Sequence, residues 1–330
     1  MPDIGALLSP ASVAVVGASP DAHILRGRIM NVLGCHPYKG KIYPVSRSHA
    51  EVMGLKAYRT VSDLPETVDM AVLIIPSTFV PDTLEECGAM GVKAAQIITS
   101  GFAEEIGGEG QEQQRRIREI AAKYDMAVCG PNSEGFANMA LDFCPTFSPA
   151  VDDPKTPLLP AFRQDGRIGV VAQSGGMGFA FYDRGRPRQL PFSYVVTTGN
   201  EACLEGFQLV EHMLEEDGTD VITMFIEDIK TPELFPVVAE KALRAGKPII
   251  VTKVGHSQAG QRAAASHTAA LAGSYAAYNA MFARYGVIEG RDIEEIVDIA
   301  AGFSYWRGRL PKGKRVGIIT GSGGAGGWMA

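Results

Sequence analysis

Short apolar runs that stop at small or turn-forming residues recur along the chain, and segments with a helical spacing of apolar residues separate them. Uninterrupted apolar runs that alternate with amphipathic segments are typical of parallel strands covered by helices on both faces. The chain is therefore predicted to be an α/β protein. The predicted strands are residues 12–16, 42–45, 70–75, 94–98, 126–129, 168–172, 192–196, 221–226, 249–252 and 315–320.

A strand followed by a glycine-containing turn occurs three times and predicts three domains. Residues 1–145 form a Rossmann-like domain of ordinary size, with helices expected near residues 27–33 and 112–124. Residues 146–310 form a second α/β domain, which begins after a proline-rich connection. Residues 311–330 provide the first strand and glycine turn of a third, incomplete α/β domain, and we expect this short segment to be mobile or to dock elsewhere.

The glycine turns are candidate phosphate sites, because backbone N–H groups at the start of a helix attract anions. The first turn, residues 17–20, does not spell G-x-G-x-x-G, and the second strand ends in Ser46 and Arg47 instead of the acid that holds a nicotinamide ribose. NAD is therefore disfavoured. The third turn, residues 321–327, does spell this motif, but no helix is expected after it, so the match carries little weight. The second turn, residues 174–176, is either a phosphate site or an ordinary structural turn.

A run of small residues, 257–274, carries a single histidine, His267, between the hydroxyls of Ser266 and Thr268. Small residues let a loop move and let a bulky group approach closely, and hydroxyls bind oxyanions. Histidine acts as a nucleophile or as an acid–base group because its pKa lies near neutrality. A lone histidine is more often a packed residue, or lies beside a helix cap such as Ser266, so the loop by itself favours the structural interpretation and leaves the functional one open.

Composition and charge exclude several classes of protein. The net charge of −6 argues against a general nucleic-acid binder. No apolar run approaches the roughly 18 residues of a transmembrane helix, and the N-terminus lacks the basic and apolar regions of a signal peptide. The five cysteines show no C-x-x-C spacing, which favours a reducing cytoplasm over a zinc site or a disulfide framework. No metal site is expected.

Taken in chain order, a series of short motifs extends from the first strand almost to the end of the second domain. They are Val15-Val16-Gly17-Ala18-Ser19, residues 42–45, 100–104, 130–135, 173–176, 198–202, 226–227 and 253–257, and Ser266-His267-Thr268 with Leu271-Ala272-Gly273. Together they resemble the CoA-binding and CoA-ligase half of the nucleotide-diphosphate-forming acyl-CoA synthetases, which are related to the α subunit of succinyl-CoA synthetase. The resemblance implies a Rossmann-like CoA-binding domain followed by a flavodoxin-like ligase domain.

The same resemblance implies an acid–thiol ligase, an ADP-forming acyl-CoA synthetase. ATP phosphorylates His267, the phosphate passes to a carboxylic acid as an acyl phosphate, and the CoA thiol then attacks the carbonyl and releases phosphate. Glu227 is implied to hold the other ring nitrogen of this catalytic histidine. The implied contacts of the phosphate are Ser174, Gly175, Gly176, Lys253, Ser266 and Thr268.

CoA is implied to bind at the carboxyl ends of the strands of the first domain, which is also where open parallel sheets bind their ligands. The implied contacts come from the first turn, the second strand and several later loops. They are Gly17, Ala18, Ser19, Pro20, Tyr43, Pro44, Val45, Arg47, Ile75, Pro76, Ser77, Ser100, Gly101, Phe102 and Asn132.

No stretch of the chain resembles the ATP-grasp domain that provides the nucleotide site of this family. ATP and Mg²⁺ are therefore implied to act through an ATP-grasp partner or a missing domain, and the chain alone is expected not to phosphorylate itself.

An oligomer in the cytoplasm is expected, without nucleic-acid or membrane partners. Phe136, Phe143 and Phe147 are expected to belong to the core, or else to line an apolar pocket for the acid, whose identity the sequence does not indicate.

Two positions depart from the family pattern. Ala269 stands where glycine usually follows Ser-His-Thr and is expected to stiffen the loop, and Cys203 stands where an acid usually follows Asn-Glu-Ala.

Two other functions stay open at this point. One is a CoA-sensing module without turnover, and the other is an NADP-dependent oxidoreductase, which only the glycine turns and Arg47 favour.

Overall fold

Two mainly parallel β-sheets with helices on both faces organise the protein. The computed structural model describes residues 2–105, 107–152, 166–255 and 275–329. The strands are β1 (Ser12–Val16), β2 (Lys41–Val45), β3 (Glu51–Val52), β4 (Leu55–Lys56), β5 (Met70–Leu73), β6 (Ala94–Ile97), β7 (Ala127–Cys129), β8 (Phe136–Asn138), β9 (Ile168–Ala172), β10 (Phe192–Thr197), β11 (Val221–Ile226), β12 (Ile249–Lys253) and β13 (Ile288–Glu289). The α-helices are α1 (Ile4–Leu8), α2 (Leu25–Cys35), α3 (Val80–Ala89), α4 (Gly110–Tyr124), α5 (Gly175–Gly185), α6 (Gly206–Glu215), α7 (Leu234–Ala245), α8 (Tyr275–Tyr285), α9 (Ile293–Tyr305) and α10 (Gly323–Met329).

The first sheet has the strand order β2-β1-β5-β6-β7, and all its strand pairs are parallel. Both faces are buried, as β1 shows. Ala14 and Val16 pack in one cluster with α3 and α4, whereas Val13 and Val15 pack in another with α1 and α2. Burial on both faces explains why the sequence of β1 is apolar at every position after Ser12.

The second sheet has the order β13-β12-β11-β9-β10-β8 and is parallel except for β8, an edge strand antiparallel to β10. Helices α5 and α9 cover one face, and α6, α7 and α8 cover the other. A capping box begins α6: the Glu205 carboxylate accepts from the backbone of Gln208, whose side chain accepts from the Glu205 N–H at 2.9 Å. The predicted α/β class is confirmed.

One hydrophobic core spans both sheets. It contains Val13 and Val72 of the first sheet together with Phe207 of α6, which covers the second. Phe136 and Phe143 are fully buried in the same core, so both belong to the core and line neither of the cavities described below. Strand β8 lies within the first 145 residues of the chain but pairs with β10 of the second sheet. The sheets are therefore joined by a shared core and by a strand, and the domain limits at residues 145 and 310 stay predictions.

The predicted strands of the two sheets are confirmed to within two residues at each end, and β1, β9 and β11 begin and end as predicted. The predicted strand at residues 315–320 is wrong: these residues form no strand, and Val316 is 86% exposed. A strand is held by hydrogen bonds to a neighbour, and no described strand lies beside this segment. The glycine turn that follows is a short helix, α10, where no helix was expected. In the four described ranges, no helix has the length and apolarity needed to cross a membrane.

Candidate functional site

A cavity opens at the carboxyl ends of β1, β2 and β5, and we refer to it as the arginine cavity. The structure adds Arg26, Arg59 and Phe79 to its lining, three residues that no sequence motif indicates. Of the residues implied to bind CoA, it brings together Gly17, Ala18, Val45, Arg47, Ile75 and Pro76. The implied residues that do not line it are Ser19, Pro20, Tyr43, Pro44, Ser77, Ser100, Gly101, Phe102 and Asn132.

The first glycine turn uses its N–H groups in hydrogen bonds to the neighbouring strand, so they are not free to bind a ligand. The N–H groups of Gly17 and Ala18 both donate to the Val45 carbonyl, at 2.9 and 3.2 Å. Gly17 has a φ of +96°, and an added Cβ would overlap the Ile74 carbonyl oxygen. The next helix, α2, begins only at Leu25. The expected anion site at a helix start is therefore not built by this turn, and positive charge in the cavity has another source.

That charge comes from three guanidinium groups, those of Arg26, Arg47 and Arg59. None of the three forms an ion pair with another residue in the described ranges. The Arg47 guanidinium lies 5.6 Å from the centre of the Phe79 ring. Guanidinium groups bind phosphate through charge-assisted hydrogen bonds, and an aromatic ring offers a stacking surface for a purine. The arginine cavity therefore fits a phosphorylated adenine nucleotide, which is half of the CoA molecule.

A second cavity lies where the carboxyl edges of the two sheets meet, and we call it the junction cavity. It is lined by Ala103, Glu104, Gln114, Asn132, Gln173, Gly199, Asn200, Glu227, Asp228 and Lys230. Asn200, which follows β10 of the second sheet, connects to the part of the chain that forms the first sheet. Its side-chain nitrogen donates to Glu104 and, at 3.0 Å, to Gln114. Its side-chain oxygen accepts from Asn132 at 3.3 Å. Glu227, the implied partner of the histidine, thus shares a polar cavity with loops of the first sheet.

Lys253, implied to contact phosphate, ends β12 and is only 2% exposed. Its ammonium donates to the carbonyl oxygens of Glu227, at 2.6 Å, and Val254, at 2.7 Å. It also lies 4.7 Å from the centre of the Tyr278 ring. Burial lowers the pKa of this ammonium, and the negative charges of Asp228 and Glu227 oppose the effect. In this structure Lys253 therefore holds the backbone at Glu227.

The second glycine turn leads directly into α5, which begins at Gly175 after Ser174. Ser174 makes no capping hydrogen bond, and an added Cβ at Gly176 would meet nothing within 4 Å. Glu134 approaches the same helix start, because a Cβ at Gly175 would lie 2.9 Å from its Oε2. Burial raises the pKa of Glu134, and a hydrogen bond with Ser148 opposes the effect. The start of α5 has the geometry of an anion site, and Glu134, which the sequence places in the 130–135 motif without a role, is its neighbour.

Three of the implied site residues lie outside the described part of the chain: Ser266, His267 and Thr268. The described chain stops at Gly255, just after Lys253, and resumes with α8. In α8 the Tyr278 hydroxyl donates to Oδ1 of Asp228 at 3.0 Å. On each side of the segment that carries His267, a residue near the described end, Lys253 or Tyr278, therefore contacts a residue that lines the junction cavity. No group of three or more His, Cys, Asp or Glu residues in the described ranges is placed to hold a metal ion.

Comparisons with known proteins agree with this arrangement. Residues 11–139 match the model of a CoA binding domain, and residues 165–303 match the model of the succinyl-CoA ligase like flavodoxin domain. The first range includes the strands of the first sheet. The second includes all strands of the second sheet except β8.

Curated relatives match almost the whole chain. The α subunit of ADP-forming acetate–CoA ligase I from Pyrococcus furiosus is 38% identical over 325 residues, which are 97% of this chain and 67% of the relative. The α subunit of ADP-forming acetate–CoA ligase II from the same organism is 37% identical over 319 residues, which are 96% of this chain and 66% of the relative. The chain thus spans about two thirds of the length of these relatives.

A solved structure shows the same fold. It is the dinucleotide forming acetyl-coenzyme A synthetase 1 of Ca. Korarchaeum cryptofilum, in complex with phosphate and ADP. It superposes with a TM-score of 0.88 at 35% identity, and the match covers 99% of this chain and 67% of that chain. Since sequence, domain models and structure agree across both sheets, the chain belongs to the family of ADP-forming acyl-CoA ligases, in the region represented by their α subunits.

Proposed function

We propose that this chain is the CoA-binding and ligase part of an ADP-forming acyl-CoA synthetase, which converts a carboxylic acid, CoA and ATP into acyl-CoA, ADP and phosphate. The observation that carries the proposal is the pair of cavities at the carboxyl edges of the two sheets. The arginine cavity suits the phosphates of CoA. The junction cavity contains Glu227, and its lining residues Glu227 and Asp228 are contacted by Lys253 and Tyr278, which flank the segment that carries His267.

In the proposed reaction, the neutral imidazole of His267 attacks the γ-phosphorus of ATP, which an ATP-grasp partner or domain would hold with Mg²⁺; the bond to the bridging oxygen breaks, and ADP leaves. A carboxylate oxygen of the acid then attacks the phosphorus, the N–P bond breaks, and an acyl phosphate forms. The CoA sulfur attacks the acyl carbon, and inorganic phosphate leaves. Glu227 accepts a hydrogen bond from the other ring nitrogen and stabilises the positive charge of the phosphorylated ring. Ser174, Gly175 and Gly176 would receive the phosphate at the start of α5.

The partner and the compartment belong to the same proposal. The relatives named above are α subunits, which supports a second subunit with an ATP-grasp fold. Cys35, Cys87, Cys129, Cys144 and Cys203 all carry free thiols, which suits the reducing cytoplasm.

Replacing both Arg47 and Arg59 with glutamine is expected to weaken CoA binding by at least about 100-fold, measured by calorimetry. Each charged hydrogen bond contributes about 1.5–3 kcal/mol, and about 1.4 kcal/mol corresponds to a factor of ten in affinity. Arg244→Gln is the control for the loss of a positive charge as such, because it removes one guanidinium from a side chain that is 82% exposed on α7. An unchanged dissociation constant in the double variant would show that CoA does not bind in the arginine cavity.

The ligase part can be tested without its partner by supplying acetyl phosphate and CoA to the isolated chain. Acetyl-CoA and phosphate are expected in equal amounts, because the second transfer does not use ATP. Labelled ATP alone is expected to leave the isolated chain unlabelled. A chain that binds CoA but forms no acetyl-CoA with acetyl phosphate or with other acyl phosphates is a CoA-sensing module. Tight binding of NADP in place of CoA would identify an oxidoreductase.

A further inference from the structure

Gln173, the residue directly after β9, uses the full hydrogen-bonding capacity of its side-chain amide. Its oxygen accepts from the backbone N–H groups of Glu227, at 2.6 Å, and Asp228, at 3.0 Å. Its nitrogen donates to the Asp228 carbonyl oxygen and to Oε2 of Glu201, both at 2.7 Å. An amide has two donor hydrogens and two acceptor positions, so no capacity is left for a substrate. Gln173 therefore joins the end of β9 to the backbone that follows β11.

Glu201, the partner of Gln173, is a carboxylate that is only 4% exposed. Its second oxygen accepts from the Thr198 hydroxyl at 2.9 Å and from the N–H of Gly206, the first residue of α6, at 2.8 Å. Burial raises the pKa of Glu201, while these donors and the charge of Lys230 favour the ionised form. Its backbone has a φ of +48°, which is costly for a residue with a side chain. A buried carboxylate on a strained backbone needs a reason beyond closing a turn.

The loop that carries Glu201 is held on the first sheet. On one side of Glu201, the Asn200 N–H donates to the Pro131 carbonyl at 2.9 Å. On the other side, the Ala202 N–H donates to the Gly130 carbonyl, also at 2.9 Å. Glu201 is therefore fixed relative to the loop after β7. A continuous series of hydrogen bonds runs from that loop through Glu201 and Gln173 to the backbone of Glu227.

We propose that Gln173 and Glu201 form a positioning pair, which fixes the backbone of Glu227 relative to the CoA-binding sheet. The pair touches no substrate and acts through Glu227, so the inference rests on the role proposed for Glu227 above. Its importance follows from the geometry of group transfer, in which a displacement of about 1 Å can lower the rate by about 100-fold.

The test uses the full chain and the rate at which ³²P-labelled acetyl phosphate labels His267, which is the reverse of the acyl phosphate step. In that reaction the imidazole nitrogen attacks the phosphorus, the P–O bond breaks, and acetate leaves. Gln173→Met keeps the length of the side chain and removes all four hydrogen bonds, so it is expected to lower the labelling rate by about 10- to 100-fold. CoA affinity, set in the arginine cavity, is expected to change less than twofold. Gln111→Met, at an exposed position of α4, is the matched control.

Exchange of the two side chains distinguishes positioning from general damage. Gln173→Glu alone places a carboxylate against Glu201 and against the Asp228 carbonyl, and a loss as large as that of Gln173→Met is expected. Adding Glu201→Gln restores a donor between the two side chains, and the double variant is expected to label at least tenfold faster than Gln173→Glu. In a Glu227→Gln background, Gln173→Met is expected to lower the rate by less than threefold, because the residue it positions is already disabled.

The outcomes separate this inference from the function on which it rests. Full labelling in Gln173→Met, no recovery in the double variant, or an equal loss of CoA affinity and thermal stability would each overturn the positioning pair. Glu227→Gln with a normal labelling rate would reject the role of Glu227 and the pair together. A wild-type chain that binds CoA but is labelled neither by acetyl phosphate nor by other acyl phosphates would reject the ligase proposal, and with it the pair.

Discussion

Replacing His267 with alanine is expected to remove all phosphate label that the chain acquires from ³²P-labelled acetyl phosphate, or from labelled ATP with an ATP-grasp partner. The label on the wild-type chain is expected to be labile in acid and stable in base, as a phosphorus–nitrogen bond is. The overall synthesis of acyl-CoA from ATP should fall to background, because the nucleophile has no substitute. CoA affinity should be unchanged, since the arginine cavity lies on the other sheet.

A second measurement on the same variant makes the test specific. The reaction of preformed acetyl phosphate with CoA does not use the histidine, so His267→Ala should retain it while losing the label. His23→Ala, at an exposed histidine, is the control and should behave like the wild type in both assays. Label that persists in His267→Ala would assign the phosphate to another residue.

Replacing Gly199 with alanine is expected to destabilise the protein by about 2–4 kcal/mol and to abolish acyl transfer at the junction cavity. Gly199 has a φ of +56°, and an added Cβ would overlap the carbonyl oxygens of Pro131 and Asn132. It would also lie 2.7 Å from the Asn132 carbonyl carbon. All three atoms belong to backbone, which cannot rotate away as a side chain can, so the loops of the two sheets must separate.

Thermal and urea unfolding measure the change in the free energy of unfolding of Gly199→Ala. Acetyl-CoA formation from acetyl phosphate measures its rate of acyl transfer. Gly218→Ala is the control, because an added Cβ there meets nothing within 4 Å. That substitution should change stability by less than about 1 kcal/mol. Wild-type stability and transfer in Gly199→Ala would show that the contact between the two loops is not required.

The sequence predicts the strands of the two sheets because strands buried on both faces are apolar without interruption. The segment 315–320 has the same pattern and yet forms no strand. Periodicity reports the preference of a segment, whereas a strand also needs a neighbour with free hydrogen-bonding groups. The pattern of apolar residues contains no information about that neighbour.

The candidate site is less predictable, because its contacts depend on which loops meet. Gly17 lines the arginine cavity, but the N–H groups of its turn donate to the Val45 carbonyl. Arg26 and Arg59 belong to no motif and become neighbours only through packing. The hydrogen bond between Gln173 and Glu201 joins residues 28 positions apart, and neither residue type indicates the other.

Strand β8 crosses to the second sheet, and one core spans both sheets. Opening either sheet alone would expose the apolar surface of the other, so the two should unfold in a single cooperative transition. A ligand that binds only in the arginine cavity then lowers the population of every open state. Amide hydrogens in β11 and β12 should therefore exchange with solvent more slowly when CoA is bound, as those in β1 and β5 do. CoA binding at the first sheet would in this way slow hydrogen exchange in β11, the strand that leads to Glu227, without any change in conformation.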